Sequence, residues 1–97
     1  MRLSEYLSEH PNLWSGKPIY VTLQCNQNIL NDVIDSFGTN VRIVPLSNDQ
    51  ITVHVRASEQ AMFYWAIQFA ESVEVVSPES LRLRIKNTLK EALNKYE

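Results

Sequence analysis

The stretch Ile19-Tyr20-Val21-Thr22-Leu23-Gln24-Cys25-Asn26-Gln27-Asn28-Ile29-Leu30-Asn31-Asp32-Val33-Ile34-Asp35-Ser36-Phe37-Gly38 changes its hydrophobic period half-way along. Up to Cys25, the apolar Ile19, Val21, Leu23 and Cys25 alternate with Tyr20, Thr22 and Gln24, which is the period of two of a strand with one buried face. Asn26 then suits a helix N-cap, because its side chain can accept from the free amides of the next turn. Ile29, Leu30, Val33, Ile34 and Phe37 follow at intervals of three and four, the spacing of an amphipathic helix, and Gly38 supplies a left-handed residue to end it. A strand that feeds a helix within twenty residues is the first half of a layered α+β plan.

Working outward, residues 41–46 and 50–57 are two β-rich runs joined by Ser47-Asn48-Asp49, which reads as a hairpin with Val41, Ile43, Ile51, Val53 and Val55 facing inward. Ser58 caps a second helix through about residue 70, with Ala61, Met62, Trp65, Ala66 and Phe69 on one face and Phe63, Tyr64 and Ile67 widening it. Residues 73–76 form a fourth strand. Ser77-Pro78-Glu79 then starts a last helix over residues 78–96, with a capping Ser, Pro at the first helical position and an acid near the positive end of the helix dipole. Leu81, Ile85, Leu89, Ala92, Leu93 and Tyr96 make this helix amphipathic, so it needs a surface to dock on.

The order β-α-β-β-α-β plus a terminal helix predicts a ferredoxin-like α+β fold, a four-stranded antiparallel sheet with two helices on one face and an additional C-terminal helix. The opposite sheet face stays open and carries Tyr20, Thr22, Gln24, Arg42, Val44, Thr52, His54 and Arg56. The terminal helix either covers part of that face or lies against a neighbouring domain or chain. Residues 1–18 read as a lead-in, in which Tyr6 and Leu7 suit a short helical turn, His10-Pro11-Asn12 breaks it and Ser15-Gly16-Lys17-Pro18 turns the chain. Residues 19–97 are the domain proper.

With 97 residues, 44% of them hydrophobic, the chain has room for one core and not two. Its single cysteine forms no internal bridge, and no Cys/His cluster has zinc-ligand spacing, so no metal ligand is assigned. The longest apolar run falls far short of the roughly 20 residues of a membrane span. The start MRLSEYLSEH lacks the basic-then-apolar plan of a signal peptide, and a cytoplasmic location is expected. Nine Lys and Arg against eleven Asp and Glu leave a net charge of −2. Affinity for duplex DNA rests largely on clustered cations, so direct duplex contact by this chain is not expected.

No catalytic constellation emerges. The two glycines, Gly16 and Gly38, do not form a phosphate loop. Cys25 is a nucleophile only if its thiol reaches the start of the first helix, whereas the strand alternation turns it inward, where a free Cys is usually structural. His10, in a loop, has no partner in sequence. His54 lies on the open face with Thr52 and Arg56 two residues to either side, an arrangement that can receive an anionic ligand or simply meet solvent or a neighbour. The aromatic run Met62-Phe63-Tyr64-Trp65 belongs to a helix that faces a sheet and reads as core, with Tyr64 the member that reaches outward. Arg82, Arg84, Lys86 and Lys90 form the one basic run and read as the solvated side of the last helix. No catalytic or cofactor-binding residue is assigned, and the chain is not expected to be an enzyme.

Several segments together resemble a known family. These are Tyr6-Leu7 with His10-Pro11 and Ser15-Gly16; Tyr20-Val21-Thr22-Leu23; Asn31-Asp32-Val33-Ile34-Asp35-Ser36-Phe37-Gly38; Ala61-Met62-Phe63-Tyr64-Trp65-Ala66; and Val73-Glu74-Val75-Val76-Ser77-Pro78-Glu79-Ser80-Leu81-Arg82. In this order they resemble the C-terminal extension (WCX-type) domain of bacterial WYL-domain transcriptional regulators. The resemblance implies a longer parent chain that begins with a winged helix-turn-helix, continues into a WYL ligand-sensing domain and ends with this module. It also implies a ferredoxin-like fold, contacts with the other domains of the parent chain, a homodimer and a small-molecule or nucleotide effector. On that reading the chain couples effector sensing to DNA binding, and Tyr20, Thr22, Gln24, His54 and Arg56 are the candidate ligand or interface face. The alternative is a free-standing ferredoxin-like domain that binds a metabolite or nucleotide, which the glycine-free turn Asn26-Gln27-Asn28 disfavours. Single-strand nucleic-acid binding would need several exposed aromatics on the central strands, and only Tyr20 qualifies.

Overall fold

The computed structural model describes residues 16–38 and 41–97. The lead-in features at Tyr6, Leu7, His10 and Pro11 lie outside the described residues. In chain order the elements are β1 (Pro18–Asn26), a 3-10 turn (Gln27–Ile29), α1 (Leu30–Phe37), β2 (Val41–Pro45), β3 (Gln50–Ser58), α2 (Glu59–Gln68), β4 (Val73–Ser77) and α3 (Glu79–Asn94). The strands form one antiparallel sheet in the order β2-β3-β1-β4. The described fold is therefore α+β, a four-stranded antiparallel sheet with three helices.

β1 is the spine. It pairs with β3 from Pro18 opposite Ser58 to Asn26 opposite Gln50, and this register sets Val21 against Val55, Leu23 against Val53 and Cys25 against Ile51. All six side chains are buried, as the alternation requires. Val41 and Ile43 are only half-buried because β2 is an edge strand. The loop to β3 closes as a hairpin, with the amides of Leu46 and Ser47 both donating to the Gln50 carbonyl and Ser47 Oγ donating to Asp49 Oδ1 at 3.1 Å.

Two helix starts differ from the sequence reading, and one helix ends where expected but through a different backbone conformation. Asn26 does not cap α1 with its side chain; it stays in β1, its amide donating to Ser72 O while the Gln27 amide donates to Asp49 O. The neighbouring loops satisfy these amides, so the helix begins only at Leu30, after the 3-10 turn. Gly38 has the expected positive φ of 62°, but its ψ of −137° lies outside the left-handed helical basin, in a region that glycine alone enters freely. Ser77 is still paired with Thr22 in the sheet, so Pro78 rather than Ser77 takes the N-cap position of α3. Ser58 behaves as expected, its Oγ accepting from the Ala61 amide at 3.2 Å.

α2 places Ala61, Met62, Trp65 and Ala66 against the sheet. The fully buried Trp65 ring lies between Phe37, at 5.0 Å between centroids, and Phe69, at 4.8 Å, and its Nε1 donates to Ser36 Oγ at 2.9 Å. The aromatic run is thus core, with Tyr64 facing outward.

α3 joins the helical layer and does not cover the open sheet face. It packs on β4 and α2, and Leu81 and Ile85 enter the same core as Val75, Met62 and Trp65. Arg84 fastens it to α2: the guanidinium carbon lies 3.9 Å from the Phe63 ring centroid, Nη2 donates to Gln60 Oε1 at 3.0 Å and Nη1 sits 3.8 Å from Glu59 Oε2. The apolar stripe outruns this contact. A five-residue strand spans about 17 Å and a sixteen-residue helix about 24 Å, so the last turns of α3 pass the end of β4. Leu89, Leu93 and Tyr96 are exposed, against the expectation that the whole stripe would dock.

Candidate functional site

The pleat of β1 and β3 delivers the candidate residues. Every residue between the buried Val21, Leu23, Ile51, Val53 and Val55 points to the other side of the sheet, and register pairs Tyr20 with Arg56, Thr22 with His54 and Gln24 with Thr52. Tyr20 is 78% exposed. The Arg56 guanidinium carbon lies 5.4 Å from the Tyr20 ring centroid, within cation–π range, which holds both flat groups over the strand pair. One step along, Thr22 Oγ1 and His54 Nδ1 are 3.3 Å apart, with the hydroxyl donating when Nδ1 carries no proton. Tyr20, Thr22, His54 and Arg56 line a shallow depression of about 410 Å³.

Gln24 does not join them. It lies two positions further along β1, opposite Glu74 of β4, and borders a separate hollow with Asn26, Gln50 and Glu71. Arg42, expected on the open face but not among the five candidates, joins them, because the β2–β3 register sets it directly opposite His54 in the same depression. The short hairpin loop was the signal for it, since the loop length fixes which β2 residue faces His54. Two arginines and a histidine therefore border this end of the face. At the far edge, the Glu74 carboxylate is held by Arg82 Nη1 at 2.6 Å, so it does not offset the positive end.

Cys25 lies on the other side of the sheet and is buried, and desolvation raises its thiol pKa from 9.0 to about 11. Near neutral pH it is a protonated packing group. Among the described residues no three His, Cys, Asp or Glu side chains gather as a metal site, and no helix is long and apolar enough to cross a membrane.

The model of one family, the WCX domain, matches residues 17–93, which run from the residue before β1 into the last turn of α3. The chain belongs to the WCX domain family. WCX is the C-terminal extension of WYL regulators. Within this WCX domain, the open-face residues and the exposed half of α3 both fall inside the matched region. No curated protein matches the chain.

Proposed function

We propose that this WCX domain is the non-catalytic regulatory and oligomerisation module of a WYL-type transcriptional regulator, built on a ferredoxin-like sheet. The strand order β2-β3-β1-β4 and the alternation of strands and helices support that name for the fold. The residues before the family match are the connection from an upstream domain, shorter than the expected 1–18 because Pro18 already pairs with Ser58 in β1, and a cytoplasmic location goes with this reading. The observation that carries the function is the open sheet face of a family member, where Tyr20, Arg42, His54 and Arg56 form a cationic and aromatic surface that no helix covers among the described residues. That face meets the adjacent sensor domain or a second chain. An effector bound near the junction favours one packing over the other and so changes how the DNA-binding heads are spaced, by as much as its affinities for the two packings differ.

The test is molar mass by light scattering, on the parent regulator and on this chain, before and after His54→Ala with Arg56→Ala. Loss of dimer in the double variant supports the contact surface. A wild-type parent that is monomeric at high concentration, or a dimer indifferent to the substitutions, rules out the second chain as the occupant of this face. The alternative, a free-standing domain that binds an anionic metabolite or nucleotide, draws on the Tyr20–Arg56 stack beside Arg42 and His54. A stoichiometric calorimetric hit on the isolated chain would favour that alternative.

A further inference from the structure

At the β4 edge of the sheet, away from the Tyr20 cluster, the C-terminal half of α3 and the edge strand β4 enclose an open apolar groove. Val73, Ile85, Leu89 and Leu93 line it together with Lys86, Lys90 and the ion-paired Glu74 and Arg82. Ile85 is buried, whereas Leu89 is 43% and Leu93 56% exposed, at the four-residue spacing of a helix-packing ridge. Neither lysine makes an ion pair among the described residues. Arg82, in contrast, is already engaged by Glu74 and donates to the Val75 carbonyl at 2.8 Å.

These features discriminate between occupants. An added β-strand would need the backbone of the β4 edge, and the Arg82 guanidinium already takes the Val75 carbonyl there. A second copy docking through Leu89 and Leu93 around a two-fold axis would bring Lys86 and Lys90 of both chains to one seam, gathering four ammonium groups. A helix with an apolar stripe and acidic flanks satisfies both the leucines and the lysines. We propose that this groove is a docking site for an acidic amphipathic helix of a partner protein. The site is separate from the open face, and its failure leaves the regulatory reading untouched.

The experiment titrates the 97-residue chain with a synthetic helix of about five turns, carrying Leu at every third or fourth position and Glu on both flanks, by calorimetry and amide-shift mapping. Saturable micromolar binding is expected, with shifts confined to β4 and the second half of α3. Lys86→Glu with Lys90→Glu should weaken it at least about tenfold, as should Leu93→Asp near the helix end, and a peptide with Lys in place of Glu should not bind. Far-UV dichroism checks that the variants fold. The proposal is overturned by an absence of saturable binding, by equal affinity in the Lys86/Lys90 variant, or by a self-association that Leu93→Asp abolishes.

Discussion

Ser36 and Trp65 stand 29 positions apart and meet in one hydrogen bond, which satisfies the only polar atom of a fully buried indole. Removing the acceptor leaves that N–H in the core without a partner, so Ser36→Ala should destabilise the chain by about 1–3 kcal/mol, read from the urea midpoint. Cys25 gives a second prediction, in pH. Its folded pKa of about 11 exceeds the unfolded 9.0, so below about pH 9 both states hold the proton and the contribution is complete. Between 9 and 11 the unfolded state releases its proton first, and stability falls by an amount on the order of 2 kcal/mol. Cys25→Ala, compared with wild type by denaturation at pH 8 and pH 10.5, should remove that portion of the decline. The inward direction of Cys25 was readable from strand alternation. The Trp65 partner was not, because helix periodicity says which face is buried and nothing about which polar group on another helix comes within reach.

Among the elements, α3 shows how one periodic stripe can have two fates. Leu81 is fully buried against β4 and α2, while Leu93, about three turns further on, is more than half exposed. Leu81→Ala should therefore cost about 2–5 kcal/mol, whereas Leu93→Ala in the isolated chain should stay within about 0.5 kcal/mol. Equal costs at the two positions, measured by chemical denaturation, would contradict the overhang. The heptad-like pattern made both leucines look alike, since amphipathicity records what a helix can bury and not how far its support extends. The boundary shifts at Asn26 and Ser77 have the same origin. Both residues are good caps in isolation, and both are retained by strand pairing to segments distant in sequence.

At the scale of the whole molecule, the sheet separates two kinds of chemistry. Its helical side holds the core, and its open side carries Tyr20, Arg42, His54 and Arg56 without contributing them to that core. His54→Ala with Arg56→Ala should accordingly leave the unfolding free energy within about 0.5 kcal/mol of wild type while removing the assembly that the open face is proposed to make. A large loss of stability in the double variant would mean that the face is structural. The net charge of −2 masks this arrangement, because it averages two cationic regions, the Arg42–Arg56 end of the sheet and the Lys86–Lys90 pair, with acids spread elsewhere.

Hydrophobic period alone determined the element types, the inward and outward sides of β1 and β3, and the residues offered at Tyr20, Thr22, His54 and Arg56. Those properties are local, since they follow from the alternation of side chains along a strand and their recurrence around a helix. Tertiary structure decided that α3 extends the helical layer, that Arg42 joins His54 while Gln24 stands apart, and that half of an apolar stripe remains uncovered beside two lysines. Each of these depends on register, or on the relative lengths of neighbouring elements, and so on contacts between residues that no short window of sequence contains.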